Sequence, residues 1–247
     1  MQQAILHIPH SSTVIPLLDG FVVSRVNLKS EILKLTDWYT DDIFNSPTDI
    51  IMKAEFSRIF CDVERFAEDS QEIMAQYGMG VIYAKTDDGL LLRKINSDLR
   101  KRILKNYYWI HHSKLSQEVK MQLELYGEAL IIDCHSFSNI PFNRDLNKDS
   151  NRPDFNIGTD PYHTPKILVD KSREFFKEKG FSLGIDWPYC GSIVPLEYYQ
   201  TNKKVSSIML EINRKLYLQE PTNQKSENYS KIKSVTNEFI NIMNRSM

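Results

Sequence analysis

Changes in the spacing of apolar residues divide this chain into elements. Residues 4–8, Ala-Ile-Leu-His-Ile, are almost continuously apolar and stop at Pro9, which predicts a strand covered on both faces. Ser11, Ser12, Thr13, Pro16 and Gly20 then signal a loop. Ile32, Leu35, Tyr39 and Ile43 recur at three- and four-residue spacing, predicting an amphipathic helix over 29–44. Residues 50–52 and 57–63 predict two short strands, the second ending in Asp62-Val63-Glu64-Arg65. Gly78, Gly80, Asp87, Asp88 and Gly89 mark a looped middle section. A long helix is predicted over 96–126, with Gly127 as its C-cap. Residues 129–133 predict a second buried strand running into Cys134-His135-Ser136, and 139–163 a long loop. A helix over 164–179, a strand over 181–186, a loop over 188–195, a strand over 205–213 and a helix over 226–243 complete the chain. Strands alternating with helices predict an α/β fold. We expect one domain over 1–247, with a mixed, mostly parallel sheet between helices. Ligands of such sheets gather beyond the carboxyl ends of the strands, where His10, His135 and Glu211 fall.

Composition narrows the function. Of 247 residues, 41% are hydrophobic and 26% charged, which fits a globular protein rather than a disordered one. Lys plus Arg number 31 against 32 for Asp plus Glu, so there is no basic excess to suggest nucleic acid as a partner. The basic stretch 93–105 is interrupted by apolar residues at helical spacing and reads as a solvated helix face. No apolar run approaches a membrane span, and the first residues show no signal peptide. Cys61, Cys134 and Cys190 are odd in number and widely spaced, as in a cytoplasmic protein with reduced thiols.

His10 and His135 closely follow apolar strands and could serve as ligands to a transition metal such as zinc, or could merely cap their strands. His7, among apolar neighbours, reads as a core histidine, and His163 as a solvated loop residue. His111 and His112 point about 100° apart on a helix, so at most one can face a shared site, and His112 is preferred. Glu211 lies inside an apolar strand, where a carboxylate needs a partner. That partner is either an arginine such as Arg214 or the water that a general base activates. Arg58 and Arg65 could hold carboxylates, with Asp62 and Glu64 as their structural alternatives. Asp37 and Asp41, at i and i+4, share one face of the predicted helix, and either could complete a metal site. Cys134 and His135 point to opposite faces of their strand and cannot form a dyad. No phosphate-binding glycine loop is present.

Taken together the motifs have a familiar order: His7-Ile8-Pro9-His10-Ser11, Asp37 with Asp41, Ser57-Arg58, Asp62-Val63-Glu64-Arg65, Asp133-Cys134-His135-Ser136, Pro153-Asp154 with Gly158, Pro188-Tyr189-Cys190-Gly191, and residues 210–217. In this order, and over about residues 4–220, the chain resembles the N-formylglutamate amidohydrolase family. The resemblance implies a phosphorylase/hydrolase-like sheet similar to that of zinc carboxypeptidases. It implies one Zn²⁺ held by His10, Asp37 and His135, with Asp41 in reserve for the third place. It further implies Arg65 as the carboxylate-binding arginine and Glu211 as general base. Beside it, Arg58 could polarise a developing oxyanion or bind a side-chain carboxylate, and His112 is the next candidate for proton transfer. Three departures stand out: Ser12 where the family has glycine, Glu64 where it has a neutral asparagine, and Cys190-Gly191-Ser192 where it has paired glycines.

The expected activity is therefore metal-dependent hydrolysis of a small N-acyl amino acid. The alternatives are a peptide or cell-wall amidase or carboxypeptidase on the same scaffold, for which a secretion signal is expected, and a non-catalytic binding relative. A degenerate relative of that kind is expected to have lost His10, His135 or Glu211. The oligomeric state is left open.

Overall fold

The computed structural model of the chain describes residues 3–246. Six strands form one sheet: β1 (Ile5–Ile8), β2 (Ile50–Lys53), β3 (Ala129–Phe137), β4 (Phe155–Gly158), β5 (Leu183–Ile185) and β6 (Val205–Asn213). Their order is β2-β1-β3-β6-β4-β5. All neighbours are parallel except β4, which runs antiparallel to β6. The fold is thus mixed α/β with a mostly parallel sheet.

Every residue of β1, β3 and β6 is buried, as their apolar runs require of strands covered on both faces. On one face Cys134, Leu210 and Ile212 pack with Phe176 and Phe239, from helices α5 (Lys166–Glu178) and α6 (Tyr229–Asn244). On the other, Ile131 and Val205 meet Leu115 and Val119 of α4 (Trp109–Tyr126). Truncating a fully buried phenylalanine such as Phe176 to alanine would cost about 3–5 kcal/mol. The long helix expected over 96–126 is α3 (Ser97–Ile103), a π-helical turn and α4. Asn96 caps its start, accepting from the Leu99 N–H at 2.8 Å, and Gly127 ends it at φ 80°. No helix among the described residues is long and apolar enough to cross a membrane.

Three expectations fail locally. The helix expected over 29–44 is broken: α1 (Arg25–Leu35) ends, Tyr39 turns left-handed at φ 64°, and α2 (Thr40–Ile43) restarts. Asp37 lies in that break and is buried, whereas Asp41 is exposed and pairs with Lys53, so the two do not share a helix face. Residues 57–63 form turns rather than a strand, because the Ser57 carbonyl and hydroxyl accept from the N–H groups of residues 59–61. The stretch 139–163 is not all loop but contains β4, whose Gly158 has no room for a side chain. A Cβ there would stand 2.3 Å from the Gly191 carbonyl and from the Met209 side chain.

Candidate active site

β1, β3 and β6 are parallel neighbours, so their carboxyl ends open on the same edge of the sheet. His10 follows β1, and in the β3–β6 register His135 stands directly beside Glu211. Asp37 is drawn to them by its helix break: its N–H donates to the His10 carbonyl at 3.0 Å. Its Oδ2 accepts from the Ser136 N–H at 3.1 Å and lies 3.3 Å from His135 Nδ1 and 3.8 Å from His10 Nδ1. Asp37 Oδ1 accepts from Arg214 Nη2 at 2.8 Å.

These three side chains suit a divalent cation. All are buried, their donor atoms lie within 4.8 Å of one another, and His10 Nδ1 has no hydrogen-bond partner among the described residues. Neighbouring ligands of a tetrahedral zinc ion, with bonds of about 2.0–2.2 Å, stand about 3.3–3.6 Å apart, close to the observed gaps. The other nitrogen of each histidine faces a carboxylate: His10 Nε2 is 2.7 Å from Asp62 Oδ1, and His135 Nε2 is 3.1 Å from Asp133 Oδ1. The site also calls for positive charge. Burial opposes an imidazolium at His135, yet Asp133 and Asp37 raise its pKa well above the ordinary value. Burial would likewise raise the Asp37 carboxyl, but His10, His135 and Arg214 hold it well below the carboxylate range.

Glu211 is buried beside this cluster, and its Oε2 has no hydrogen-bond partner among the described residues. It is not hydrogen-bonded to Arg214, whose donors go to Asp37, Ser136 and the Lys34 carbonyl. Burial, aided by Asp37, pushes its pKa up to about 8 against the pull of His135, Arg214 and Arg58. Arg58 and Arg65 converge on Asp62. Arg58 is engaged, donating from Nη2 to Asp62 Oδ2 at 3.1 Å and from Nε to Tyr83 Oη at 3.1 Å. Arg65 is held more loosely, at 3.6 Å from Asp62 and 3.8 Å from Glu72, and its Nε has no hydrogen-bond partner among the described residues. Of the two, Arg65 is the one with donors to spare for a ligand carboxylate.

A second cluster did not emerge from the sequence. His7 Nδ1 lies 2.9 Å from Asp133 Oδ1 and 3.1 Å from Glu64 Oε1, while His7 Nε2 lies 2.9 Å from His111 Nε2. His7 is indeed buried, but inside a polar network rather than an apolar one. Burial would lower its pKa, but the hydrogen bond to Asp133 and the nearby Glu64 carboxylate raise it to about 9. Burial and His7 push His111 down to about 2. The signal available in sequence was the alternation Asp133-x-His135, which puts both side chains on one strand face. Finding His7 also needs the register in which it pairs with Asp133.

The preference for His112 over His111 is reversed with respect to this network: His111 joins it. His112 instead packs on Tyr108, ring centres 4.2 Å apart, and lines a groove of about 310 Å³ with Trp109 and Leu196. Burial and His7 lower its pKa to about 4. His163 is not solvated: Nδ1 faces the Val205 carbonyl at 2.8 Å, and Nε2 accepts from the Gln200 N–H at 2.8 Å.

Comparison with known proteins bears on the family and the fold. The chain is 27% identical over 195 residues to N-formylglutamate deformylase of Pseudomonas putida, an overlap spanning 75% of this chain and 71% of that protein. Its fold matches the crystal structure of N-formylglutamate amidohydrolase from Ralstonia eutropha JMP134 with a TM-score of 0.83 at 22% identity, covering 99% of this chain and 96% of the other. It also matches a gene product of Agrobacterium tumefaciens, with a TM-score of 0.69 at 14% identity over 99% and 90% of the two chains. These two likenesses speak to the fold alone. The model of the N-formylglutamate amidohydrolase family matches residues 2–218, and with that match over most of its length the chain belongs to the N-formylglutamate amidohydrolase family.

Proposed function

We propose that the chain, working as one domain over 1–247, is a zinc-dependent amidohydrolase. It cleaves a small N-acyl amino acid of the N-formylglutamate kind into a carboxylate and a free amino acid. One observation carries the reading: three buried donors, His10, Asp37 and His135, converge beside Glu211, a buried carboxylate with an oxygen unbonded among the described residues. The name of the Pseudomonas putida relative supports an N-formyl substrate. Its three free cysteines suit a reducing cytoplasm.

His10, Asp37 and His135 would hold the cation. Zinc bound there supplies Lewis acidity and makes water nucleophilic near neutral pH. Glu211 takes the proton of the attacking water and hands it to the departing nitrogen. A buried carboxylate with an oxygen unbonded among the described residues is placed to accept that proton and release it again. Arg65 receives the carboxylate next to the scissile amide, and Arg58 polarises the developing oxyanion or binds a side-chain carboxylate. His112, lining the groove with Trp109 and Leu196, is the reserve group for proton transfer.

The test is a panel of N-formyl, N-acetyl and N-succinyl amino acids assayed with zinc-loaded and chelator-treated protein. Turnover of N-formyl substrates, lost on chelation and restored by zinc, is the expected result. Absence of turnover across the whole panel with zinc-loaded protein overturns the reading.

A further inference from the structure

His7, Glu64 and Asp133 repeat the donor types of the first cluster on the far side of the His135 ring. We propose that this second cluster holds a proton rather than a metal. His7 is then a positioning residue: through Asp133 it fixes which nitrogen His135 turns towards His10 and Asp37. The inference rests on the metal site proposed above.

The separations distinguish the two clusters. Around Asp37 the nitrogen–oxygen gaps are 3.3 and 3.8 Å, wide enough for ligands sharing an ion. Around His7 the contact is direct: Nδ1 is hydrogen-bonded to Asp133 Oδ1 at 2.9 Å, while Glu64 Oε1 stands 3.1 Å away with no hydrogen-bond partner among the described residues. An ionised carboxylate only accepts, so the proton of this bond lies on His7 Nδ1 and points to Asp133. Asp133 Oδ1 takes a second hydrogen bond from His135 Nε2 at 3.1 Å. That holds a His135 proton on Nε2 and leaves Nδ1, facing Asp37, as the nitrogen that would give up its proton to bind a cation. Asp133 cannot swing away, because its Oδ2 accepts from the Ile193 N–H at 3.1 Å. Nor is the His7 ring free to turn, being fully buried with its other nitrogen 2.9 Å from His111. The chain His111–His7–Asp133–His135 therefore orients a ligand from behind, without touching the ion.

The experiment measures zinc stoichiometry, and zinc and cobalt affinity by chelator competition, on the full chain. Wild-type protein should bind one equivalent. His7→Phe, folded by far-UV circular dichroism, should bind that equivalent about 10- to 100-fold more weakly, as disrupted outer-shell partners do. His7→Asn, whose amide N–H stands near the place of Nδ1, should recover most of the loss. Unchanged affinity in His7→Phe overturns the proposal. So does a wild type that binds two equivalents, one of which is lost in that variant. If His7→Phe does not fold, His7→Gln serves instead: its amide reaches towards His111 and not Asp133, and unchanged affinity there is equally fatal. A wild type that binds no zinc is a separate result; it overturns the proposed function and this inference with it.

Discussion

Asp37 Oδ1 and Arg214 Nη2 meet at 2.8 Å although 177 residues separate them in sequence. The bond spans from the break between α1 and α2 to the turn after β6, and it aims Asp37 Oδ2 at the two histidines. Both groups are buried, so removing one strands the other away from water. Arg214→Met is expected to destabilise the chain by about 3–5 kcal/mol. At this size that is a fall in melting temperature of roughly 6–20 °C. Thermal and urea unfolding would measure it. A change below about 1 kcal/mol would show that Asp37 finds its charge balance elsewhere.

Glu211→Gln keeps the side chain's shape and removes its basicity. If Glu211 is the general base, kcat falls by about a hundredfold or more while zinc content stays at the wild-type level. Metal analysis alongside steady-state kinetics separates the roles. Loss of zinc would make Glu211 a ligand and displace one of His10, Asp37 or His135. Retention of both zinc and activity would leave it structural.

The sequence revealed most where burial is decided by neighbours along the chain. The boundaries of β6 follow from its apolar run, and His10, His135 and Glu211 could be placed near strand ends because parallel strands of a buried sheet leave little choice. It revealed least where the deciding partner is distant. The apolar spacing of Leu35, Tyr39 and Ile43 continues straight through the break, because Tyr39 and Ile43 remain packed against the core even though the backbone turns. What buries Asp37 is Arg214, which no local pattern announces. β4 is four residues in a polar stretch, and it becomes a strand only because β6 and β5 lie on either side of it. Asp133 pairs with His7 through sheet register, which a single sequence does not state.

Arg58 and Arg65 share Asp62 but should respond differently to removal. Arg65 has an Nε unbonded among the described residues and longer ion-pair distances, so its loss should register in substrate binding. A charge-assisted hydrogen bond of about 1.5–3 kcal/mol corresponds to a fall in kcat/KM of roughly ten- to a hundredfold for Arg65→Ala. Arg58→Ala, which strips Asp62 and Tyr83 of a donor, should lower the unfolding midpoint as well as the rate. Steady-state kinetics and unfolding on both variants make the comparison. Unchanged kinetics for Arg65→Ala on every accepted substrate would reduce it to a structural partner of Asp62.

Asp154 gives the fold a dependence on pH away from the candidate site. Its carboxylate accepts from the Ser182 N–H at 3.0 Å and the Ser182 hydroxyl at 2.8 Å, and lies 3.2 Å from Lys215 Nζ. It thereby ties the start of β4 to the segment before β5 and to the turn after β6. Burial would raise its pKa, but the Ser182 and Lys215 contacts outweigh burial and lower it. A carboxyl group with a depressed folded-state pKa stabilises above its unfolded value, near 4, and loses that contribution as pH falls through the folded value. Asp154→Asn should therefore cost about 1 kcal/mol at pH 7, discounted for the partial exposure of the side chain. The gap between variant and wild type should shrink as pH drops below about 4. Urea midpoints at pH 7, 5 and 3 would trace it. A gap that stays constant across that range would mean the variant acts through lost hydrogen-bond geometry rather than through the charge.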